Sequence, residues 1–287
     1  MVATSTLIAV GIDGIAYGMF LALLGVGITL VFGLGEVLNL AIGMFAIFGT
    51  LMAHYLSTAV GLGSVPAFLL GIVVVGILGV TVDRTLLSLV YRSDGEERIL
   101  LGIFVTLGLS ILLEGILTNF FPSRYSLSLG LPRINVIDIT IPGSSILVIA
   151  VSAVVLASLF AFLRGTFLGK AARTVFQDEV GALLIGVDPR RIRAIVFVLA
   201  AIVAGIAGIV YGTTATLGVT DGFQFTIFAL IVSIVGGIRS IEGTAVAGIL
   251  LGIVATYANF FIGAYLASII LFMTAVIILL VRPVVEE

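Results

Sequence analysis

Along most of the 287 residues, apolar runs of about twenty are separated by short polar breaks. A helix rising about 1.5 Å per residue needs roughly 20 residues to cross about 30 Å of hydrocarbon, so each run reads as a membrane span. The runs fall at 8–32, 38–56, 66–91, 99–121, 145–163, 194–217, 223–238, 245–262 and 264–281. The second and seventh are short or glycine-interrupted, at GLGEVLNLAIG and VGGIRSIEG, and either could enter the membrane without crossing it. The fold class this pattern predicts is all-α, a polytopic transmembrane helical bundle of eight or nine spans in one domain covering 1–287.

The longest polar interruption is GKAARTVFQDEVGALLIGVDPRRIR, residues 169–193. Within it Ala172, Val175, Phe176, Val180, Leu183, Leu184 and Val187 recur at steps of three and four, which predicts one apolar helix face. Gly181 and Gly186 interrupt the pattern, so two short pieces are expected, with the weak point at Gly181 and the end near Gly186. Asp188 can cap the next helix and Pro189 suits its first position. Arg190, Arg191 and Arg193 then sit where the helix macrodipole disfavours cations, so anionic lipid or an acidic partner is needed to hold them there.

Charge sets the orientation. The segment 164–193 holds Arg164, Lys170, Arg173, Arg190, Arg191 and Arg193, whereas the loop 122–144 holds only Arg124 and Arg133. Short basic loops face the cytoplasm, so 164–193 is expected inside and 122–144 outside. Arg84, Arg92, Arg98, Arg239 and Arg282 fall on the inner side if nine segments alternate. In the outer loop the alternation INVIDITI suggests a short extended element, and FFPSRY at 120–125 an interfacial belt.

Composition narrows the chemistry further. Hydrophobic residues make up 61% and charged residues 10%, with a mean hydropathy of +1.38, which belongs to a membrane protein. Thirty-five glycines, mostly inside the runs, favour close helix packing. With no cysteine and His54 as the only histidine, thiol chemistry is excluded and a His/Cys metal site is not credible. No basic stretch precedes the first run, so that run is expected to be retained as a span. GTFLGK at 165–170 lacks the spacing and the final Ser/Thr of a phosphate-binding loop, so no ATPase motif is present.

Polar groups inside the runs are candidate transport chemistry. Glu114 is the most deeply placed acid, where an unpaired charge costs about 2.5–3.5 kcal/mol on insertion scales, so it lines a path or makes a structural helix–helix hydrogen bond. Asn39 and Gly43 in the interrupted second run, with Gly236 and Gly237 in the seventh, are the other path candidates, because broken helices expose backbone to cargo. Close helix packing accounts for the same glycines without a ligand. Asp13, His54 and the adjacent Asp83 and Arg84 read as interfacial groups.

The stretch Gly169–Ile192 resembles the cytoplasmic coupling loop of the branched-chain amino acid permease family of ABC importers, whose pattern is G(K/R)AxRAxAxDxxxAxLLGIxxxRV. Gly11–Gly33 is similar to that family's glycine-rich first span, Ile234–Gly252 to its VxGGxGSxxGAxxGGxxxG element, and the VRP at 281–283 to its terminal motif. The resemblance implies a permease subunit, not an enzyme, that imports branched-chain or related small amino acids with a second homologous permease, two cytoplasmic ABC ATPases carrying ATP and Mg, and an external substrate-binding protein. It implies no cofactor in this chain and no nucleic-acid partner. Arg173, Phe176, Gln177, Asp178, Glu179, Leu183, Leu184 and Gly186 would couple to the ATPase. Two departures stand out: NLAIGMF puts Ile42 and Met44 where the family commonly has His and Glu, and GGIRS puts Arg239 where it has a small residue. The first leaves urea or a short amide as an alternative cargo. An ion-coupled secondary transporter is the alternative of a different class, although acids other than Glu114 are scarce inside the runs.

Overall fold

The structure, a computed structural model, describes residues 4–93, 95–121, 124–136 and 139–281. Arg282, the end of the VRP motif and the Pro122–Ser123 part of the aromatic tract lie outside the described residues. In chain order the helices are α1 (Thr4–Gly35), α2 (Ile42–Thr58), α3 (Ser64–Val82), a π-turn (Asp83–Leu87) running into α4 (Ser88–Val90), α5 (Gly95–Phe120) and α6 (Gly143–Gly165). They continue as α7 (Phe167–Gln177), α8 (Glu179–Leu184), α9 (Pro189–Tyr211), α10 (Asp221–Gly236), α11 (Ile241–Ile262) and α12 (Ala264–Val281).

Each apolar run holds a helix, and among the described residues six helices are long and apolar enough to cross a membrane: Thr4–Gly33, Ser64–Val90, Gly95–Phe120, Gly143–Gly165, Pro189–Tyr211 and Ile241–Ile262. Ile42–Thr58, Asp221–Gly236 and Ala264–Ile278 are shorter. Several expected ends move for local reasons. The fourth run starts at Gly95 because Glu96 and Glu97 suit the positive end of a helix. The sixth stops at Tyr211 rather than 217, capped by Gly212. The eighth starts at Ile241, where the Ser240 hydroxyl accepts the Gly243 N–H.

α1 is the axis, packed against α9, α10 and α11, and α2 closes the core against α9 and α10. Small residues set these distances. On α1 and α11, Gly18, Ala22, Gly248 and Gly252 bring the backbones together so closely that a Cβ on Gly252 would fall 2.1 Å from the Gly18 Cα. α3, α5, α6 and α12 lie outside and turn residues such as Leu69, Phe104, Val154 and Leu280 outward, as a hydrocarbon or protein neighbour requires.

The second run departs from expectation in one informative way. Residues 38–41 are not helical; α2 begins inside the bundle, with Ile42 against Gly27 of α1 and Val37 against Gly102 of α5. A buried non-helical backbone must find hydrogen-bond partners within the protein. Asn39 Oδ1 accepts the Ala41 N–H at 3.0 Å, and Thr106 Oγ1 on α5 accepts the Leu40 N–H at 3.0 Å while lying 3.0 Å from the Leu38 carbonyl.

At the end of the bundle opposite α7 and α8, two small antiparallel pairings close the loops. β1 (Arg124–Tyr125) pairs with β4 (Leu217–Gly218), and β2 (Ile134–Val136) with β3 (Ile139–Ile141), with Ile134 opposite Ile141. The extended element expected from INVIDITI is thus a hairpin. His54 Nδ1 lies 2.9 Å from the Ser126 carbonyl and ties α2 to this loop.

Thr106→Val removes the hydroxyl that serves the buried turn at no cost in volume, and leaving each partner unpaired costs about 1–3 kcal/mol. Thermal unfolding in detergent is expected to show a clear loss for Thr106→Val and little for Thr106→Ser.

Candidate functional site

The charged interruption folds as two helices joined at a single residue. Thr166 caps α7 through its hydroxyl, which accepts the Gly169 N–H at 3.1 Å. The break comes at Asp178 and not at Gly181: Asp178 is extended, at φ −156° and ψ 104°, and its Oδ1 accepts the Gly181 N–H at 2.9 Å. An aspartate that caps the next helix outcompetes continuation of the previous one. Gly181 instead serves the cap, since a Cβ there would fall 2.5 Å from Asp178 Oδ2. Gly186 ends the segment at φ +83°, a left-handed geometry that favours glycine. Asp188 caps α9 as expected, with Oδ1 accepting the Arg190 N–H at 3.0 Å and Pro189 in the first turn.

The expected single apolar face divides in two. α7 turns Ala172 and Val175 into the bundle, where it packs on α1, α6 and α9, and half-buried Phe176 stacks under Arg239. α8 buries only Ala182 and turns the other way: Val180, Leu183, Leu184 and Ile185 are exposed, Leu184 by 83%. The one-residue joint at Asp178 resets the helical phase, which is why a continuous face does not survive.

Ion pairs hold α8 in place. Glu179 makes a two-pronged pair with Arg193 of α9, Oε1 to Nη1 at 2.9 Å and Oε2 to Nη2 at 2.5 Å. Arg98 of α5 lies 3.5 Å from Glu179 Oε2 and 3.4 Å from Glu36, just after α1, and donates from Nε to the Ser93 carbonyl at 2.8 Å. The two arginine side chains are only 4% (Arg98) and 6% (Arg193) exposed, and Arg193 also lies over the Tyr91 ring at 5.7 Å. Burial pushes the Glu179 carboxyl up, but the hydrogen bond and charge of Arg193, and then Arg98, outweigh it and hold the carboxyl below its ordinary value. Of the three arginines opening α9, Arg193 faces the protein, while Arg190 and Arg191 are exposed, Arg191 beside Asp188 at 3.1 Å.

The path candidates do not converge. Asn39 is fully buried at the internal turn, with Nδ2 unpartnered, and Gly43 serves packing, its N–H donating to Thr226 Oγ1 at 3.0 Å with the Gly222 carbonyl against it. Gly236 and Gly237 lie together at the α10–α11 elbow, Gly236 against the Thr244 backbone and Gly237 at φ +100°. Beside them a buried hydroxyl cluster joins three helices, Thr29 Oγ1 lying 2.8 Å from Ser233 Oγ and 2.9 Å from Thr244 Oγ1. Glu114 sits apart, half-buried on the flank of α5 with no hydrogen-bond partner among the described residues. Ile42 and Met44, the departures from the family pattern, are core residues with no exposed surface.

A cavity of about 550 Å³ opens instead at the end opposite α7 and α8, between α1, α6, α9, α10, α11 and α12. Asp13, Tyr17, Ser145, Tyr211, Gln224 and Asn259 supply its polar lining, which includes no Arg or Lys. The Ser145 hydroxyl donates to Asp13 Oδ1 at 2.7 Å. Towards the interior it meets an aromatic cluster in which Phe20 stacks on Tyr211 at 4.2 Å and meets Phe225 edge-on at 4.9 Å. This site was not expected from the sequence; the polar groups Thr256 and Asn259, three residues apart in the second half of α11, are the signal in the sequence that could have pointed here.

Comparison with known proteins follows the same lines. The family described as "Branched-chain amino acid transport system / permease component" matches residues 11–281. The high-affinity branched-chain amino acid transport system permease protein BraD of Pseudomonas aeruginosa is 27% identical, over 95% of this chain and 92% of BraD. LivH of Escherichia coli, a permease protein of the same description, is 24% identical over 94% of this chain and 92% of its own. Among solved structures, PsaBC from Streptococcus pneumoniae in complex with Fab has a chain that superposes with a TM-score of 0.53 at 15% identity, covering 96% of this chain and 91% of that one; this likeness concerns the fold alone.

Because the Glu179 carboxyl is held below its ordinary value when paired, α8 docking is strong at neutral pH and is lost as pH falls through that lowered value, below the ordinary glutamate range of about 4.3. Hydrogen-exchange protection of residues 178–187 is expected to hold at neutral pH and drop on such acidification. Glu179→Gln is expected to lower protection at neutral pH and to flatten the acid step; identical profiles would contradict the pairing.

Proposed function

The chain belongs to the branched-chain amino acid transport permease family, and on that premise we propose that it is the membrane subunit of an ATP-driven importer for branched-chain or related small amino acids. As a permease it is a membrane transport protein rather than an enzyme. ATP and Mg are bound by separate cytoplasmic ATPases, a second homologous permease completes the membrane portion, and an external binding protein delivers cargo. The side bearing α7 and α8 is cytoplasmic, as its basic residues favour.

The observation that carries this reading is the division of labour within the interruption. α7 and the Glu179 ion pairs anchor it to the spans, while α8 presents Val180, Leu183, Leu184 and Ile185 outward on the polar end of the molecule. An apolar tip held rigidly outside the bundle suits a protein socket better than water. α9 extends the connection: Arg193 near its start holds Glu179, and Tyr211 at its far end forms part of the aromatic floor of the 550 Å³ cavity. Movement imposed on α8 by closing ATPases would therefore reach the cavity through one helix. The energy enters as different contacts in two states, not as a covalent step.

The cavity chemistry agrees with a small neutral or zwitterionic cargo. Asp13 can accept an ammonium group, and the amides of Gln224 and Asn259 can serve a carboxylate or amide.

Leu183→Asp with Leu184→Asp places two charges on the tip without touching the Glu179 pairs. The ATPase is expected to stop copurifying with the permease while the permease keeps its melting temperature, with uptake falling at least tenfold. Undiminished copurification and uptake would refute docking through α8.

A further inference from the structure

Arg239 is unexplained by coupling or by the cavity described above, and it stands where the GGxGS pattern of the family has a small residue. It lines a second cavity of about 410 Å³ at the α7 end of the bundle, between α1, α6, α7 and the α10–α11 turn. Three guanidinium groups meet there, from Arg164, Arg173 and Arg239, against the single carboxylate of Glu242. Arg164 is paired with Glu242. Arg239 lies with its guanidinium carbon 5.3 Å from the centre of the Phe176 ring, and neither it nor Arg173 has a hydrogen bond or ion pair among the described residues. Ser240, beside Arg239, caps α11, so the positive end of that helix points at the same space.

We propose that this cavity is a binding site for a phosphate-bearing anion, a phosphodiester headgroup or free phosphate, held between Arg173 on the coupling segment and Arg239 on the α10–α11 turn. The planar guanidinium fork matches two phosphate oxygens, and the Phe176 ring lies against the exposed Arg239 guanidinium at 5.3 Å. One pairing with Glu242 leaves two positive charges uncompensated in the cavity, enough for one phosphate diester or monoester. A lipid source is favoured by Phe167, 78% exposed, and Leu168, which follow Arg164 at the start of α7 and offer apolar contact for acyl chains. The occupant bridges α7 to the elbow of α10 and α11, so the site is independent of which cargo the chain carries.

Native mass spectrometry of the full chain, equilibrated in mixed micelles with phosphatidylglycerol or phosphatidylcholine, tests the proposal. Phosphatidylglycerol is expected to be retained over phosphatidylcholine, and Arg239→Gln and Arg173→Gln are each expected to lower that preference about fivefold, the effect of one basic residue near an anionic surface. Arg239→Lys keeps the charge and is expected to retain most of the preference, which separates binding from misfolding. Substitution of Arg133, at the other end of the molecule, should change nothing. Displacement of the lipid by millimolar inorganic phosphate would identify the bare phosphate as the recognised group, and resistance to displacement with the arginine dependence intact would identify the lipid headgroup. A preference unchanged in the Arg173→Gln/Arg239→Gln double variant overturns the proposal.

Discussion

Two guanidinium groups taken out of water at one end of a helical bundle must meet carboxylates, and much of this structure follows from that requirement. Arg98 opens α5, Arg193 opens α9, and the acids that reach them come from either side, Glu36 from the exit of α1 and Glu179 from α8. Removing one partner from a fully buried pair costs about 3–5 kcal/mol; here the figure is smaller, because Glu179 is 37% exposed. The cluster is therefore firm without being permanent. It fixes where α8 sits, and it joins the exit of α1, the start of α5 and the α8–α9 corner, which lie far apart along the chain.

Its position also explains why α1 does not simply turn into α2. Glu36 adopts φ +53°, a left-handed geometry uncommon for a side-chain-bearing residue, and its carboxylate lies 3.4 Å from Arg98 as the chain turns back into the bundle. The following turn is buried, and Asn39 and Thr106 satisfy its backbone. The α8 end of the bundle and the interior turn thus share Arg98 and its helix, α5. In the proposed importer a push on α8 has two routes into the bundle, α9 and the α1–α2 connection.

The helices were legible because hydrocarbon demands about twenty apolar residues whatever packs around them, and each of the nine runs holds a helix. The start of α9 was equally legible, since Asp188 and Pro189 act on their own neighbours. The break in the charged interruption falls at Asp178 and not at the expected Gly181, because the stronger local signal is the capping capacity of Asp178 three residues earlier. The inward turn of Arg193 depends on Glu179, which Arg98, far away in sequence, also holds, and no local pattern reports such a meeting. For the same reason the 550 Å³ cavity escaped notice: Asp13, Tyr17, Tyr211, Gln224 and Asn259 come from four helices and look unrelated until those helices pack. Gly43 and Gly236 showed the converse, a polar-looking interruption whose glycines serve close backbone approach.

The central claim is that α7, α8 and the start of α9 move as one body, because α7 packs on α9 and continues into α8, and Glu179 pairs α8 with Arg193. Since the chain contains no cysteine, spin labels at Lys170→Cys on α7 and Arg191→Cys on α9 can be introduced without background. Pulsed electron paramagnetic resonance on the assembled transporter, nucleotide-free and trapped with ATP, would measure the distance between them. The account predicts one narrow distribution common to both states, broadened when Glu179→Gln is added; a distance that shifts between the two states in the otherwise unaltered chain would contradict it.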